Sequence, residues 1–326
     1  MNWIELTQKF PEANFLQSPS YAKMNEKLGT KVITELFHTK ETVSGSALMI
    51  IRNAKRGRYL EIPCGPLINW EDKKIVRDVL DRIHKIATEE KCVFVRIRPQ
   101  LIASAENLRL LENLGLKKSP MHLAAEHTVI INLTESEENL LADMRRQTRY
   151  EVRRASKLGI TVERSRTEEI FKEFHKIQVE TAKRQNFVPP DLKTLMVERE
   201  NLDSEIYIAK TAEGEPIAYG LIIKDGKEAE YYEAASTPLN RKLPGAYALL
   251  WQAMKDLKFE GYERFNLWGI APAGQPHHRY AGVTTFKTGF GGEIVEYVPA
   301  HDMVISKIGY LKDLIVEKAR KKRRHL

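Results

Sequence analysis

The amino-acid sequence predicts a mixed α/β protein, α+β in the finer sense, made of two units that share one order of elements. Three observations carry this. Segments with apolar residues at helical spacing alternate with short runs of β-branched and aromatic residues. The order helix, antiparallel strands, helix, strand occurs once in each half, without a visible sequence repeat. The length of 326 residues is more than one hydrophobic core normally serves. The expected units are residues 1–128 and 129–298, side by side, with a C-terminal segment 299–326 folding back as a helix on the first.

In the first unit, residues 45–51 and 58–62 read as strands around a Lys55-Arg56-Gly57 turn. Residues 72–90 have the pattern of an amphipathic helix, through Ile75, Val79, Leu80, Ile83 and Ile86. A strand at 92–97 and a short helix at 104–115, stopped by Gly115, follow. Val129–Leu133 is the next strand. Thr134-Glu135-Ser136-Glu137 has capping-box spacing. Leu141, Met144, Thr148, Val152 and Ala155 then recur as on one helix that ends at Gly159.

A second helix covers about 168–185 in this unit. Ile206–Lys210, Pro216–Lys224 and Glu228–Ala234 are predicted strands. A helix from about 245 to 259 presents Leu249, Leu250, Ala253, Met254 and Leu257 on one face. Phe265–Trp268 reads as a short buried strand running into a turn. Residues 282–293 read as one or two helical turns stopped by glycines, with Lys287 alone among apolar and small neighbours. A lysine there is costly to bury without a partner or a function. The last helix, about 305–323, is apolar at Ile308, Leu311, Leu314 and Ile315.

With 42% hydrophobic and 29% charged residues, the chain can build full cores and keep a polar surface. No run approaches 18 uncharged apolar residues, so no membrane span is expected. The N-terminus lacks a basic segment followed by an apolar one, so no signal peptide is expected. Cys64 and Cys92 sit in apolar settings, as buried free thiols of a reducing cytoplasm do. A cytoplasmic monomer is the expectation.

The net charge of +8 is clustered. Arg145, Arg146, Arg149, Arg153, Arg154 and Lys157 face only Glu151 within 145–157. The tail carries Lys318, Arg320, Lys321, Lys322, Arg323 and Arg324. Such clusters favour RNA, phosphorylated metabolites or an anionic membrane face. A solvated helix face and a frayed tail are the bland alternative.

Several chemistries lack support. His277-His278, and His122 with His127, have no acid or cysteine at ligand spacing, so no metal is expected. There is no G-x-S-x-G elbow, P-loop or G-x-G-x-x-G. The element order resembles the GNAT superfamily of acyltransferases. The loop Asn240-Arg241-Lys242-Leu243-Pro244-Gly245-Ala246 is off the spacing of an acetyl-coenzyme A cradle, and Pro244 lacks the donor that a cradle needs. A GNAT-like fold that does not use acetyl-coenzyme A is therefore expected.

Six blocks, in order, resemble the Fem family of peptidoglycan peptidyltransferases, which depend on aminoacyl-tRNA. Asn14-Phe15-Leu16-Gln17-Ser18-Pro19 is similar to its F-x-Q-S entry. Ile62-Pro63-Cys64-Gly65-Pro66 is similar to I-P-R-G-P, with Cys64 in place of the basic residue. Val95-Arg96-Ile97-Arg98-Pro99 is similar to R-I-D-P, with Arg98 where an aspartate is common. Leu140 through Gly159 fits its basic helix, and Thr181-Ala182-Lys183-Arg184-Gln185-Asn186-Phe187 fits T-x-x-R-x-x-F. The stretches Phe265–Pro272 and Gly282–Glu293 fit its C-terminal signature. The coiled-coil arm of some members has no counterpart between Gly159 and Ile206.

The resemblance implies transfer of an amino acid from aminoacyl-tRNA to the stem peptide of a peptidoglycan precursor, UDP-MurNAc-pentapeptide or lipid II. The activated ester would be the co-substrate, without a cofactor. Transfer to a protein N-terminus or a lipid, and a non-catalytic RNA- or membrane-binding module, are the alternatives. Lys287 would stabilise the oxyanion of the attacked ester, or the tRNA 3′ end; otherwise it is salt-bridged at a helix surface. Arg184 would grip the acceptor diphosphate, or else complete a helix C-terminus. Tyr247 would orient a substrate carbonyl or amine, or else pack. Phe286 and Trp268 would line the substrate site, with core packing as the alternative for Trp268. Lys23 and Lys27 would give a second phosphate contact, although Asn25 stands where the family's lysine is expected. Arg145, Arg146, Arg149, Arg153, Arg154, Lys321, Lys322 and Arg323 would meet tRNA, or the inner face of the plasma membrane.

Overall fold

The computed structural model describes all residues except 1, 2, 4, 5, 7, 8, 40, 41, 55, 56, 186, 276, 277, 279, 325 and 326, and only the backbone of 318–324. The expected Lys55-Arg56 turn, Asn186, His277 and the side chains of Lys321, Lys322 and Arg323 lie outside the described residues. The chain divides into two compact units, Met1–Glu126 with Glu296–Leu326, and His127–Val295.

The first unit begins with α1 (Pro19–Lys27), whose N-terminus is capped by the Ser18 hydroxyl. Strands β1 (Val32–His38), β2 (Val43–Ala54), β3 (Gly57–Pro63) and β4 (Leu67–Ile68) follow. Then come α2 (Lys73–Glu89), β5 (Phe94–Arg98), α3 (Ala105–Asn113) and β6 (Lys117–Lys118). Alternation along β2 divides its side chains between two faces. Ala47 and Met49 join the α2 core with Val79, Ile83 and Ile86, and Leu48 and Ile50 pack with Ala22 of α1. Gln17 of the F-x-Q-S block ties the unit together. Its amide donates to the carbonyls of Leu48 (3.2 Å) and Pro63 (2.6 Å) and accepts from the Leu48 N–H (2.8 Å).

The second unit contains β7 (His127–Asn132), α4 (Glu137–Asp143), α5 (Arg146–Lys157) and β8 (Thr161–Ser165). It continues with α6 (Glu168–Gln185), α7 (Leu192–Asn201), β9 (Ser204–Lys210), β10 (Pro216–Asp225) and β11 (Glu228–Ser236). It ends with α8 (Gly245–Phe259), β12 (Arg264–Asn266), α9 (Ala281–Lys287) and β13 (Glu293–Glu296). Its sheet has the order β13-β7-β12-β11-β10-β9-β8. One face is covered by α8 through Leu249, Leu250, Ala253, Met254 and Leu257, and the other by α6 and α7 through Phe171, Phe174 and Leu195.

The chain then returns to the first unit. There β14 (His301–Val304) pairs antiparallel with β5, and α10 (Lys307–Arg324) closes the chain. The first sheet has the order β1-β2-β3-β5-β14-β6, with β4 beside β2.

The structure corrects several sequence expectations. The single helix over 140–159 is two helices, because Met144 (ψ 145°) and Arg145 (ψ 143°) are extended. The expected capping box is displaced. Ser136, not Thr134, caps α4, and Thr134 is held by Asn132. The strand after Gly159 begins at Thr161 rather than Ile206. The segment 299–326 includes a strand before its helix. Most consequentially, Ile308, Leu311 and Ile315 of α10 are exposed, while Tyr310, Asp313 and Glu317 are buried.

Candidate functional site in the second unit

The site is set by the point where two neighbouring strands part. β11 pairs with β10 along its whole length, as far as Ser236 opposite Ala218. On its other edge it pairs parallel with β12 only from Glu228 to Glu230. β12 stops at Asn266, and Trp268 takes a left-handed backbone conformation, φ 60°. The Asn266 side chain holds this turn by accepting the Trp268 N–H at 2.9 Å. The register with β12 thus covers only the first three residues of β11.

Lys287, the last residue of α9, lies at this opening. Its Nζ donates to the Gly269 carbonyl at 2.9 Å and lies 5.8 Å from the Tyr231 ring centroid. It is 8% exposed, and no carboxylate pairs with it among the described residues. Burial pushes its pKa down to about 7. Burial therefore favours its neutral amine far more than in an exposed lysine.

Tyr247, in the first turn of α8, forms an aromatic cluster with the α9 segment. Its ring lies 5.1 Å from Phe286 and 5.9 Å from Phe290, which are 5.3 Å apart. Burial, with a smaller contribution from Glu151, raises its phenol pKa. Trp268 meets Tyr232 edge-on at 5.6 Å. Lys287, Tyr247, Phe286 and Trp268 are thus brought to one region by contacts through Gly269, Tyr231 and Phe290.

The lysine segment is clamped from behind. Arg145 donates through its guanidinium to the Thr285 carbonyl, and its N–H bonds the Gly289 carbonyl at 2.9 Å. Thr284 accepts the Ala271 N–H at 2.7 Å, joining α9 to the Trp268 turn. Asp143 accepts the Gly292 N–H at 2.6 Å. Gly289 has no room for a side chain, because a Cβ would strike Thr148 and the Arg145 guanidinium. This glycine serves close packing on α5.

The basic helix splits into two sets. Arg149 is turned onto the carbonyls of Ala142 (2.7 Å) and Met144, so it caps α4. Arg154 bonds Glu151 (3.0 Å) and the Lys242 carbonyl (3.0 Å). Arg145, Arg149 and Arg154 thus each bond a backbone carbonyl of a neighbouring segment. Arg146, Tyr150, Arg153 and Lys157 are exposed at helical spacing along one stripe of α5.

Arg184 stands at the end of α6, exposed. It donates to the Ser236 carbonyl at the far end of β11 and to the Thr181 hydroxyl at 3.0 Å. Lys23 and Lys27 are exposed one turn apart on α1 of the first unit. Asn25 between them is buried and donates to the Tyr21 carbonyl at 2.9 Å. Sequence reasoning missed Tyr231 and Gly269 as partners of Lys287, and Arg145 as a bond to the segment that carries it. The isolated lysine was the available signal; its neighbours lie on other elements.

Two α/β units of GNAT-like fold define the class of protein. The chain belongs to the FemAB family, whose model matches residues 3–194 and 189–318. It is 19% identical to aminoacyltransferase FemA of Staphylococcus aureus over 381 aligned positions, with 90% of each chain covered. The crystal structure of FemX matches with a TM-score of 0.85 at 18% identity, over 97% of both chains. A tandem GNAT protein from the clavulanic acid biosynthesis pathway matches with a TM-score of 0.56 at 9% identity, over 85% of this chain and 84% of that one.

Proposed function

We propose that this FemAB-family aminoacyltransferase takes its amino acid from aminoacyl-tRNA and places it on an amine of a peptidoglycan stem peptide, in UDP-MurNAc-pentapeptide or lipid II. The observation that carries the reading is Lys287, buried with no carboxylate partner among the described residues, where β11 and β12 part. The acceptor amine attacks the ester carbonyl carbon, and a C–N bond forms. The Lys287 ammonium stabilises the resulting oxyanion. As the C–O bond to the ribose breaks, a group with a pKa near 7 is suited to pass a proton to the departing oxygen. The proton lost by the amine replaces it. No cofactor is required, because the ester is already activated.

Tyr231 and Ser236 are neighbours of Lys287 and Arg184 respectively, and roughly 16 Å separates them along β11 at the usual strand rise. An acceptor stretched along this strand would place its amine at Lys287 and its diphosphate at Arg184. The stripe Arg146, Tyr150, Arg153 and Lys157 supplies basic groups and an aromatic face, the combination that binds RNA backbone and bases.

The test is a transfer assay with purified protein, charged tRNA and the soluble or lipid-linked muramyl pentapeptide, read by mass spectrometry. A product one aminoacyl residue heavier is expected. Absence of product with both acceptors across the charged tRNA pool overturns the reading.

A further inference from the structure

We infer that α10 lies flat on an anionic lipid surface, through an apolar face that the fold turns outward. Helices of globular proteins normally bury their apolar stripe. This one is inverted, with Ile308 74%, Leu311 57% and Ile315 62% exposed. These residues fall at i, i+3 and i+7 and so form one stripe. The inversion has a specific cause in the first unit. Buried Arg96 bonds Glu317 at 2.8 and 3.0 Å and Asp302 at 2.8 and 2.9 Å, while the Tyr310 hydroxyl donates to Asp302 at 3.1 Å. Gly309 lies against Val93, where a larger residue would collide. The acidic side of α10 is thereby fixed inward.

The same fixation decides the charge of the outer surface. Asp313 and Glu317 are the acids of the helix, and both are buried, at 2% and 6% exposure. Lys307 and Lys312 are exposed, and the sequence continues with Lys318, Arg320, Lys321, Lys322, Arg323 and Arg324. An apolar stripe flanked by basic residues alone suits the boundary between acyl chains and anionic headgroups. RNA would use the charge but not the isoleucine–leucine stripe. The inference does not depend on the transfer reaction, since its readout is lipid binding.

The experiment is sedimentation of the full chain with phosphatidylcholine vesicles, with and without phosphatidylglycerol. Binding to the anionic vesicles is expected, weakening with salt. The triple variant Ile308→Ser, Leu311→Ser, Ile315→Ser should bind roughly tenfold or more weakly. Its melting temperature and tRNA affinity should stay as in the wild type, because the replaced side chains are exposed. A charge variant, Arg320→Glu with Lys321→Glu and Lys322→Glu, should lose the preference for phosphatidylglycerol. The inference is overturned if the wild type binds no vesicles, if it ignores phosphatidylglycerol, or if the triple variant binds as well as the wild type. It is equally overturned if the triple variant loses tRNA affinity instead. A wild-type dimer that the triple variant converts to a monomer would show the stripe to be a subunit contact, which also overturns it.

Discussion

The Arg98 guanidinium donates to the Cys64 sulfur across 2.8 Å, in the buried core of the first unit. These are the two positions at which the sequence differs from the I-P-R-G-P and R-I-D-P patterns that its blocks resemble. The two side chains meet in space, and the cation at this point is supplied from the end of β5. Arg98 also lies over the Tyr297 ring at 5.1 Å, which gives the charge a favourable face.

Restoring the family residues one at a time should therefore fail. Cys64→Arg alone sets a second guanidinium beside a buried one and should cost roughly 3–5 kcal/mol, the scale of an uncompensated buried charge. Adding Arg98→Asp should recover part of that loss, with a coupling of about 1 kcal/mol or more. Denaturant unfolding of the four proteins measures it. Strict additivity would mean that the two sites are independent.

Lys287→Met keeps most of the stem volume and removes the nitrogen. Turnover should fall by on the order of 10²–10³, as for loss of one oxyanion donor, with both substrates still bound. Lys287→Arg should rescue poorly, since a planar fork does not fit a point-charge site. Single-turnover transfer under saturating acceptor is the measurement. Near-normal turnover in Lys287→Met would make the lysine structural.

The same lysine should leave a signature in stability. Folded, it titrates at about 7 because of burial; unfolded, a lysine titrates near 10.4. Between these values the unfolded chain holds more protons, so its contribution to stability rises with pH through this window and is lost as pH falls toward 7. The slope is at most about 1.4 kcal/mol per pH unit. The difference in unfolding free energy between wild type and Lys287→Met, from pH 7 to 10, should follow that rise. A flat difference would show that the folded lysine keeps its ordinary pKa.

Arg145 and its neighbours in the basic helix should separate by phenotype. Arg145→Gln releases the clamp on Thr285 and should lower turnover more than tRNA affinity. Arg146→Gln with Arg153→Gln should weaken tRNA binding and reduce its salt slope by roughly one to two. Filter binding at several salt concentrations, beside single-turnover rates, distinguishes them. Equal loss of salt slope in both variants would return Arg145 to the contact surface.

Arg184→Lys should weaken acceptor binding by roughly 1–3 kcal/mol, because the amine cannot reproduce a two-pronged grip on phosphate. Calorimetric titration with UDP-linked muramyl pentapeptide reads this directly. Unchanged affinity in the folded variant would remove Arg184 from the acceptor site.

Elements that carry their own signals were legible in the sequence. The face of α8, the stop at Gly159 and the strands β9 to β11 follow from periodicity and glycine placement, which act over a few residues. Lys287 stood out because a lone lysine among apolar neighbours conflicts with the local pattern. Its protonation did not, since that depends on burial by α9, the Gly269 turn and Tyr231 together. The break at Met144 and Arg145 was hidden for a similar reason. Its apolar spacing continues through the break, and the bond that holds it open reaches Gly289. Periodicity records which residues share a face but not which face turns inward when both can be buried. For α10 that choice belongs to Arg96, 221 residues away from Glu317, because a buried guanidinium must recruit its carboxylates and the apolar stripe is left outside.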